Sequence, residues 1–169
     1  ARKLALAPSV TSIIGIIDKP AVGAWKVNTM LDAAWNCQGG GKNKEEWKAS
    51  VEAAWSAETK KAAELGTSIH NYIERFLASD PDARFVEGYY DQCRMIEDWL
   101  MDNIQGGTCE ESFYHDAYGY RYGGRIDFHG LLKDGRRTVI DFKTQNLKGK
   151  GKPTYYDEWK WQLAAYRDY

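Results

Sequence analysis

The stretch from Gly123 to Lys143, which reads GGRIDFHGLLKDGRRTVIDFK, constrains the fold more than any other part of the chain. It contains two runs of strand-forming residues, and Lys133-Asp134-Gly135 interrupts them. Two such runs around a short polar segment with a glycine are typical of a β-hairpin. The sequence therefore predicts two antiparallel strands joined by a tight turn.

The register of this hairpin decides which side chains meet. A two-residue turn at Asp134-Gly135 would place Asp127 opposite Phe142, so that Asp127 and Asp141 would face opposite sides of the sheet. A three-residue turn pairs Asp127 directly with Asp141. Three-residue hairpin loops end on a left-handed residue, and that residue here is Gly135. We therefore predict the three-residue turn.

With this register, Asp127, Asp141 and Lys143 share one face of the hairpin. Two neighbouring carboxylates repel each other, and a hard divalent cation with oxygen ligands removes that repulsion. Such a metal polarises a phosphate and lowers the pKa of a bound water, while a lysine beside it can hold the attacking water. The set indicates phosphodiester hydrolysis. The alternative is an exposed polar strand face with an ordinary Asp–Lys ion pair.

Composition restricts the class of protein. The chain has 169 residues and a net charge of −1, so it fits one domain with a core of its own and is not a polycation. Its three cysteines, Cys37, Cys93 and Cys109, lie far apart, which favours free thiols in a reducing compartment over a zinc or iron–sulfur site. We see no membrane-spanning run and no signal peptide. Because the chain starts at Ala1 and stops inside a helical pattern, we expect a fragment.

Helices dominate the first two thirds of the predicted fold. Ser9 or Thr11 caps a short helix that ends near Ile17, and Pro20 starts a second helix that ends near residue 37. Apolar periodicity and breakers predict further helices over 45–78, 85–104 and 157–169, a first strand over 109–115, and loops over 39–43 and 148–153. This order indicates an α+β or α/β sandwich around a mixed sheet.

Two helices carry side chains that could reach the hairpin site. Gly66, His70 and Glu74 share one face of the long helix, because they are spaced four residues apart. Gln162 and Tyr166 have the same spacing on the last helix and could contact nucleic acid. The alternatives are a half-buried His–Glu pair on the long helix and a plain helix–sheet boundary on the last one.

These segments together resemble a known family. G-T-S-I-H-N-Y-I-E, G-G-R-I-D, V-I-D-F-K-T and W-Q-L-A-A-Y, in this order, resemble the motifs of the PD-(D/E)XK nuclease superfamily in its RecB-like branch. The likeness to the mitochondrial genome maintenance exonuclease group, and to related phage and bacterial exonucleases, includes the N-terminal P-S-V-T-S-I-I and a strand glutamate, here Glu110 or Glu111. It covers roughly Pro8 to Tyr166.

The resemblance implies a role for each matching residue. Asp127 and Asp141 would bind Mg²⁺ or Mn²⁺ together with the backbone carbonyl of Phe142, and His70 would be a further ligand. Lys143 would hold the attacking water. The resemblance also implies that Glu74 and Glu111 assist the ligands or hold a second metal. The candidate catalytic residues are Asp127, Asp141, Lys143 and Glu74. The candidate nucleic-acid-binding residues are Gly66, Glu111, Arg125, Lys148, Lys150, Lys152, Gln162 and Tyr166.

A basic segment supports a nucleic-acid partner. Seven basic residues and two acidic residues lie between Lys133 and Lys152, and a basic, glycine-rich loop can follow a phosphate backbone. For 148–152 alone, a solvated loop explains the pattern equally well. Some of the seven Trp and eleven Tyr residues could stack on the bases of single-stranded DNA.

The hypothesis from the sequence is a PD-(D/E)XK fold with an N-terminal helical segment over 1–43 and a C-terminally truncated nuclease core over 44–169. We expect a metal-dependent DNA exonuclease of replication, recombination or repair that favours single-stranded ends. We also expect it in the cytoplasm of a bacterial or phage-infected cell. The alternatives are a structure-specific or restriction-like endonuclease, a catalytically idle DNA-binding scaffold and a carbohydrate-binding domain.

Overall fold

The computed structural model describes residues 7–17, 20–37, 43–117, 119–145, 147 and 151–167. These residues form two compact units, one from 7–17 with 68–167 and the other from 20–37 with 43–67. The sequence suggested a boundary after residue 43 instead. The division differs because the N-terminal residues 7–17 belong to the unit that contains the sheet, and because the long helix contributes to both units.

The described chain is a mixed α and β structure with five helices and three strands. The helices are α1 (Val10–Ile14), α2 (Pro20–Asn36), α3 (Lys44–Leu77), α4 (Tyr90–Asn103) and α5 (Asp157–Arg167), and the strands are β1 (Ile104–Ala117), β2 (Tyr120–Leu132) and β3 (Arg137–Ile140). Each predicted helix and strand is present. The largest differences are a later start for α4 and an earlier start for β1.

The three strands form a sheet in the order β1-β2-β3, and both pairs are antiparallel. The prediction of a mixed sheet is therefore wrong for the described strands, in which the one parallel contact is an isolated bridge between Ser9 and Gly123. Short connections explain the antiparallel arrangement, since parallel neighbours need a crossover of a dozen or more residues. The connections here are residues 118–119 and 133–136.

The predicted register of the second hairpin is confirmed. Phe128 pairs with Ile140 and Leu131 with Arg137, which places Asp127 opposite Asp141 when the pairing is continued by one residue. The amide of Leu132 donates to the carbonyl of Arg136 at 2.9 Å, and Gly135 has a φ of +85°. The three-residue turn thus has its left-handed residue at the predicted position.

Gly106 and Gly107 lie inside β1. At Gly107 an added Cβ would collide with the carbonyl oxygen of His129, the ring of Phe128 and the Cα of Gly130. The glycine therefore permits β1 and β2 to approach closely. The strand begins at Ile104, five residues before its predicted start.

The core of the first unit joins α1 and α5 to the sheet. Its buried members are Val10, Ile14, Phe113, Ile126 and Tyr166. Ser9 caps α1, as predicted, by accepting a hydrogen bond from the amide of Ser12 at 3.1 Å. This packing holds α5 beside β2, and α5 carries two of the candidate site residues.

The second unit is formed by α2 and the first half of α3. Pro20 is the first residue of α2, as predicted. Ala33 of α2 and Val51 of α3 are buried, and the Cys37 thiol donates to the carbonyl of Ser50 at 3.7 Å. All three cysteines are free, which confirms that prediction. No helix in the described part of the chain combines the length and the apolar character needed to cross a membrane.

Candidate metal centre

Three acidic residues stand in one row across the three-stranded sheet. Glu110 lies between Cys109 and Glu111, whose partners are Phe128 and Ile126, so its position is opposite Asp127. Asp127 is in turn opposite Asp141, the residue that follows β3. Directly opposed residues of antiparallel strands present their side chains on the same face. The sheet therefore places the three acidic residues at neighbouring positions on adjacent strands.

His70 joins two of these acids from α3. One ligand atom each of His70, Glu110 and Asp127 lie within 4.8 Å of one another, and each of these residues is half-buried. The His70 Nδ1 is 3.5 Å from an Asp127 carboxylate oxygen. Two carboxylates and one imidazole are a donor set that suits a hard or borderline divalent ion, and the imidazole favours Mn²⁺. The residues present therefore fit the metal that the sequence predicted, with Glu110 as an additional donor.

Glu110 has an unusual backbone and an unfavourable electrostatic environment. Its φ is +54°, in the left-handed region that residues with a side chain seldom adopt. Burial raises the pKa of its carboxyl, the Arg125 guanidinium lowers it, and the charges of Asp127 and Glu74 raise it further. This backbone strain and the crowding of negative charge are typical of a functional site. A bound cation would relieve the crowding of negative charge.

Asp141 has a different environment beside this cluster. Lys143 Nζ contacts one carboxylate oxygen of Asp141, and Gln162 Nε2 lies 2.9 Å from the other. Burial raises the pKa of the Asp141 carboxyl, and Lys143 opposes this shift. Gln162 Nε2 also donates to the Tyr166 hydroxyl at 2.8 Å. Asp141 is thus ion-paired and hydrogen-bonded by the protein itself.

This arrangement changes the roles predicted for Gln162 and Tyr166. Both side chains are buried, with 9% and 3% of their surface exposed, and they face Asp141. Buried side chains that bond to each other and to a carboxylate orient that carboxylate. They do not form an open surface for a nucleic acid, so their assignment as nucleic-acid contacts is corrected to support of Asp141.

Phe142 contacts the centre through its amide group. Its N–H donates to an Asp127 carboxylate oxygen at 2.8 Å, and its ring meets the His70 ring edge-on at 6.4 Å. The sequence assigned a metal-binding role to the Phe142 carbonyl. The contact that the structure provides is the N–H, which fixes the rotamer of Asp127.

The resemblance offered Glu110 or Glu111 as the strand glutamate, and the structure places Glu110 in the cluster. Glu111 is opposite Ile126, and its carboxylate contacts His129 Nε2 outside the cluster. The sequence leaves both glutamates open because it does not fix the register of β1 against β2.

The other predicted residues are distributed as follows. Glu74 lies one helical turn from His70, and its charge raises the pKa of both Glu110 and Cys109. Burial is the main cause of the shift at Cys109, whose thiol has a pKa of about 11. Gly66 belongs to the second compact unit. Lys152 is exposed, and Lys148 and Lys150 lie outside the described residues. Arg125, predicted to contact nucleic acid, is paired with Glu110.

An apolar pocket of about 500 Å³ is lined in part by Phe142 and Lys143, the two residues that follow Asp141. It lies between α3, α4 and the segment that follows β3. Its lining includes Ile69, Ile73, Met95, Trp99, Phe142 and Lys143. Lys143 therefore borders an apolar space while its ammonium contacts Asp141, and low polarity strengthens such a pair.

Comparisons with family models, with curated proteins and with solved structures give no match for this chain.

Proposed function

We propose that this chain is a divalent-metal-dependent deoxyribonuclease with a PD-(D/E)XK-type core. The observation that carries the proposal is the row of Glu110, Asp127 and Asp141 across three strands, with His70 facing it and Lys143 beside it. The resemblance of the sequence motifs to RecB-like exonucleases supports the same reaction. The assignment to that particular core belongs to the proposal.

His70, Glu110 and Asp127 would hold Mg²⁺ or Mn²⁺, because their donor atoms already converge. The ion, when bound, would polarise the phosphate and make a bound water more acidic. The hydrogen bond from the Phe142 N–H to one Asp127 oxygen fixes the orientation of the carboxylate, and with it the position of the second oxygen. At His70, Glu110 and Asp127 the role of the protein is to hold negative charge in place before the cation binds.

Lys143 and Asp141 would act on the water and the phosphate. In the structure the Lys143 ammonium contacts Asp141, whose second oxygen is held by Gln162. An ammonium in this position can donate to the attacking water and offset the negative charge that develops on the phosphate. Asp141 would accept a proton or a hydrogen bond from that water, since burial already raises its pKa.

DNA is the proposed substrate, with single-stranded ends preferred. Support comes from the exposed basic residues Lys133, Arg137 and Lys152 along the segment that contains β3. Part of the predicted basic charge is neutralised, because Arg136 pairs with Asp134 and Lys143 with Asp141. We propose a role in DNA replication, recombination or repair in the cytoplasm of a bacterial or phage-infected cell.

One assay tests this function. End-labelled and circular DNA, both single- and double-stranded, are incubated with the protein in Mg²⁺, Mn²⁺ or EDTA. We expect metal-dependent release of nucleotides from linear single strands, little attack on circles, and no product in EDTA. Nicking of circular DNA would favour the endonuclease alternative. DNA binding without cleavage in either metal would favour the scaffold alternative, and neither binding nor cleavage would contradict the proposal.

A further inference from the structure

Arg125 forms an ion pair with the most constrained acid of the centre. Its Nε is 2.5 Å from a Glu110 carboxylate oxygen and donates to the Glu110 backbone carbonyl at 3.2 Å. The Arg125 side chain is 61% exposed, whereas that of Glu110 is 16% exposed. Both contacts use Nε, and the guanidinium has two further donor nitrogens on a side chain that is mostly exposed. The solvent-facing end of Arg125 therefore has donors for an external partner.

The same carboxylate is one of the three donors of the candidate metal centre. A guanidinium at this distance neutralises part of the charge that would attract a cation. Arg125 and a divalent ion therefore compete electrostatically for Glu110. The competition weakens when another anion engages the guanidinium.

Phosphate is an anion whose geometry suits the forked donors of arginine. We propose that Arg125 couples DNA binding to metal binding: it restrains cation binding at Glu110 until a DNA phosphate engages the guanidinium. This inference rests on the proposed nuclease function. By linkage, the factor by which DNA raises metal affinity equals the factor by which metal raises DNA affinity.

The experiment is calorimetric titration of Mn²⁺ into the protein, with and without single-stranded DNA whose phosphorothioate linkages resist hydrolysis. Titration of the DNA alone is subtracted. For the wild type we expect DNA to tighten Mn²⁺ binding by about fivefold or more, the lower end of typical couplings between sites. For Arg125→Gln we expect Mn²⁺ binding without DNA to be tighter than in the wild type. We also expect DNA to change the Mn²⁺ affinity of Arg125→Gln by less than about twofold, which is below the range of typical couplings between sites.

Arg121→Gln is the matched control. Arg121 lies on the same strand, is 64% exposed and pairs with Asp116 at 3.1 Å, but Asp116 is not in the cluster. It should behave as the wild type. Arg125→Lys keeps the positive charge and should retain weak Mn²⁺ binding without DNA, which also covers the case in which Arg125→Gln fails to fold.

Two results would overturn the inference and leave the nuclease proposal standing. The first is wild-type protein that cleaves DNA but binds Mn²⁺ equally well with and without it. The second is weaker Mn²⁺ binding in folded Arg125→Gln without DNA, which would make Arg125 a residue that orients Glu110 for the metal. Absence of both Mn²⁺ binding and cleavage in the wild type would overturn both proposals.

Discussion

Asp127 and Asp141 face each other across the same hairpin but have opposite surroundings. Asp141 is paired with Lys143 and bonded to Gln162, so its charge is compensated from within the protein. Asp127 lies beside Glu110 and His70, and the charge of Glu74 acts on the same corner. Arg125 is the cation that contacts Glu110, and it is mostly exposed.

The difference indicates where an external cation is needed. A buried carboxylate with a lysine and an amide is a complete unit, whereas crowded carboxylates with an imidazole are completed by a metal. We therefore interpret the Asp127 corner as the metal centre and the Asp141 corner as the part that positions water and phosphate. The following predictions test this division of roles.

The largest effect is expected at Asp127. Asp127→Asn keeps the shape of the side chain but removes a charge of the metal centre. It should lower the rate of DNA cleavage in Mn²⁺ by at least about a thousandfold, comparable to losing a main electrostatic group of an active site. DNA binding, measured by fluorescence anisotropy, should be largely kept. Unchanged turnover in the purified, folded variant would remove Asp127 from the site.

The next effect concerns His70, for which a matched control exists. His70→Asn should weaken Mn²⁺ binding by about 10- to 100-fold, the range for losing support of a metal site. The thermal melt of the metal-free protein should hardly change. His129 also pairs with a carboxylate, that of Glu111, but lies outside the cluster, so His129→Asn should bind Mn²⁺ normally.

The opposite pattern would reverse the interpretation of His70. If His70→Asn binds Mn²⁺ as the wild type does but melts at a clearly lower temperature, His70 is a structural partner of Asp127. Loss of Mn²⁺ binding in His129→Asn would move the metal centre toward Glu111.

A smaller effect is expected for Gln162, which is hydrogen-bonded to Asp141. Gln162→Leu removes the amide that holds Asp141 and should lower the cleavage rate by about tenfold, the lower end for loss of an outer hydrogen bond. Because Asp141 is not in the cluster, the Mn²⁺ affinity of Gln162→Leu should stay within about twofold of the wild-type affinity. This change is much smaller than the loss of about tenfold in cleavage rate. An equal loss of Mn²⁺ affinity would mean that both aspartates hold the metal.

The sequence predicted the contacts that depend on one short segment better than those that depend on the register of a distant strand. The register of β2 and β3 follows from one turn, so Gly135 and the pairing of Asp127 with Asp141 were predicted correctly. The contact of His70 with Asp127 was expected from the motif resemblance. The sequence left Glu110 and Glu111 as alternatives and did not predict the pair of Glu110 with Arg125, because both depend on the register of β1 and on a left-handed residue within that strand.

The smallest effect concerns the pH dependence of stability. The pKa values of Glu110 and Asp141 are raised, so both groups hold protons more tightly in the folded chain than in the unfolded chain. Their contribution to stability is therefore greatest below the ordinary carboxyl pKa and is lost as the pH rises through the raised folded values. In EDTA, the variant Glu110→Gln/Asp141→Asn should lose fewer degrees of melting temperature than the wild type between about pH 4 and neutrality. Equal slopes would contradict the raised values.

The most direct test of the central claim is the position of a bound Mn²⁺ ion. Anomalous diffraction from crystals soaked in Mn²⁺ would locate it without reference to activity. We predict one main peak coordinated by His70, Glu110 and Asp127, and its absence in Asp127→Asn. A peak at Glu111 and His129, or no peak near Asp127 in the wild type, would contradict the assignment of this corner of the sheet as a metal centre.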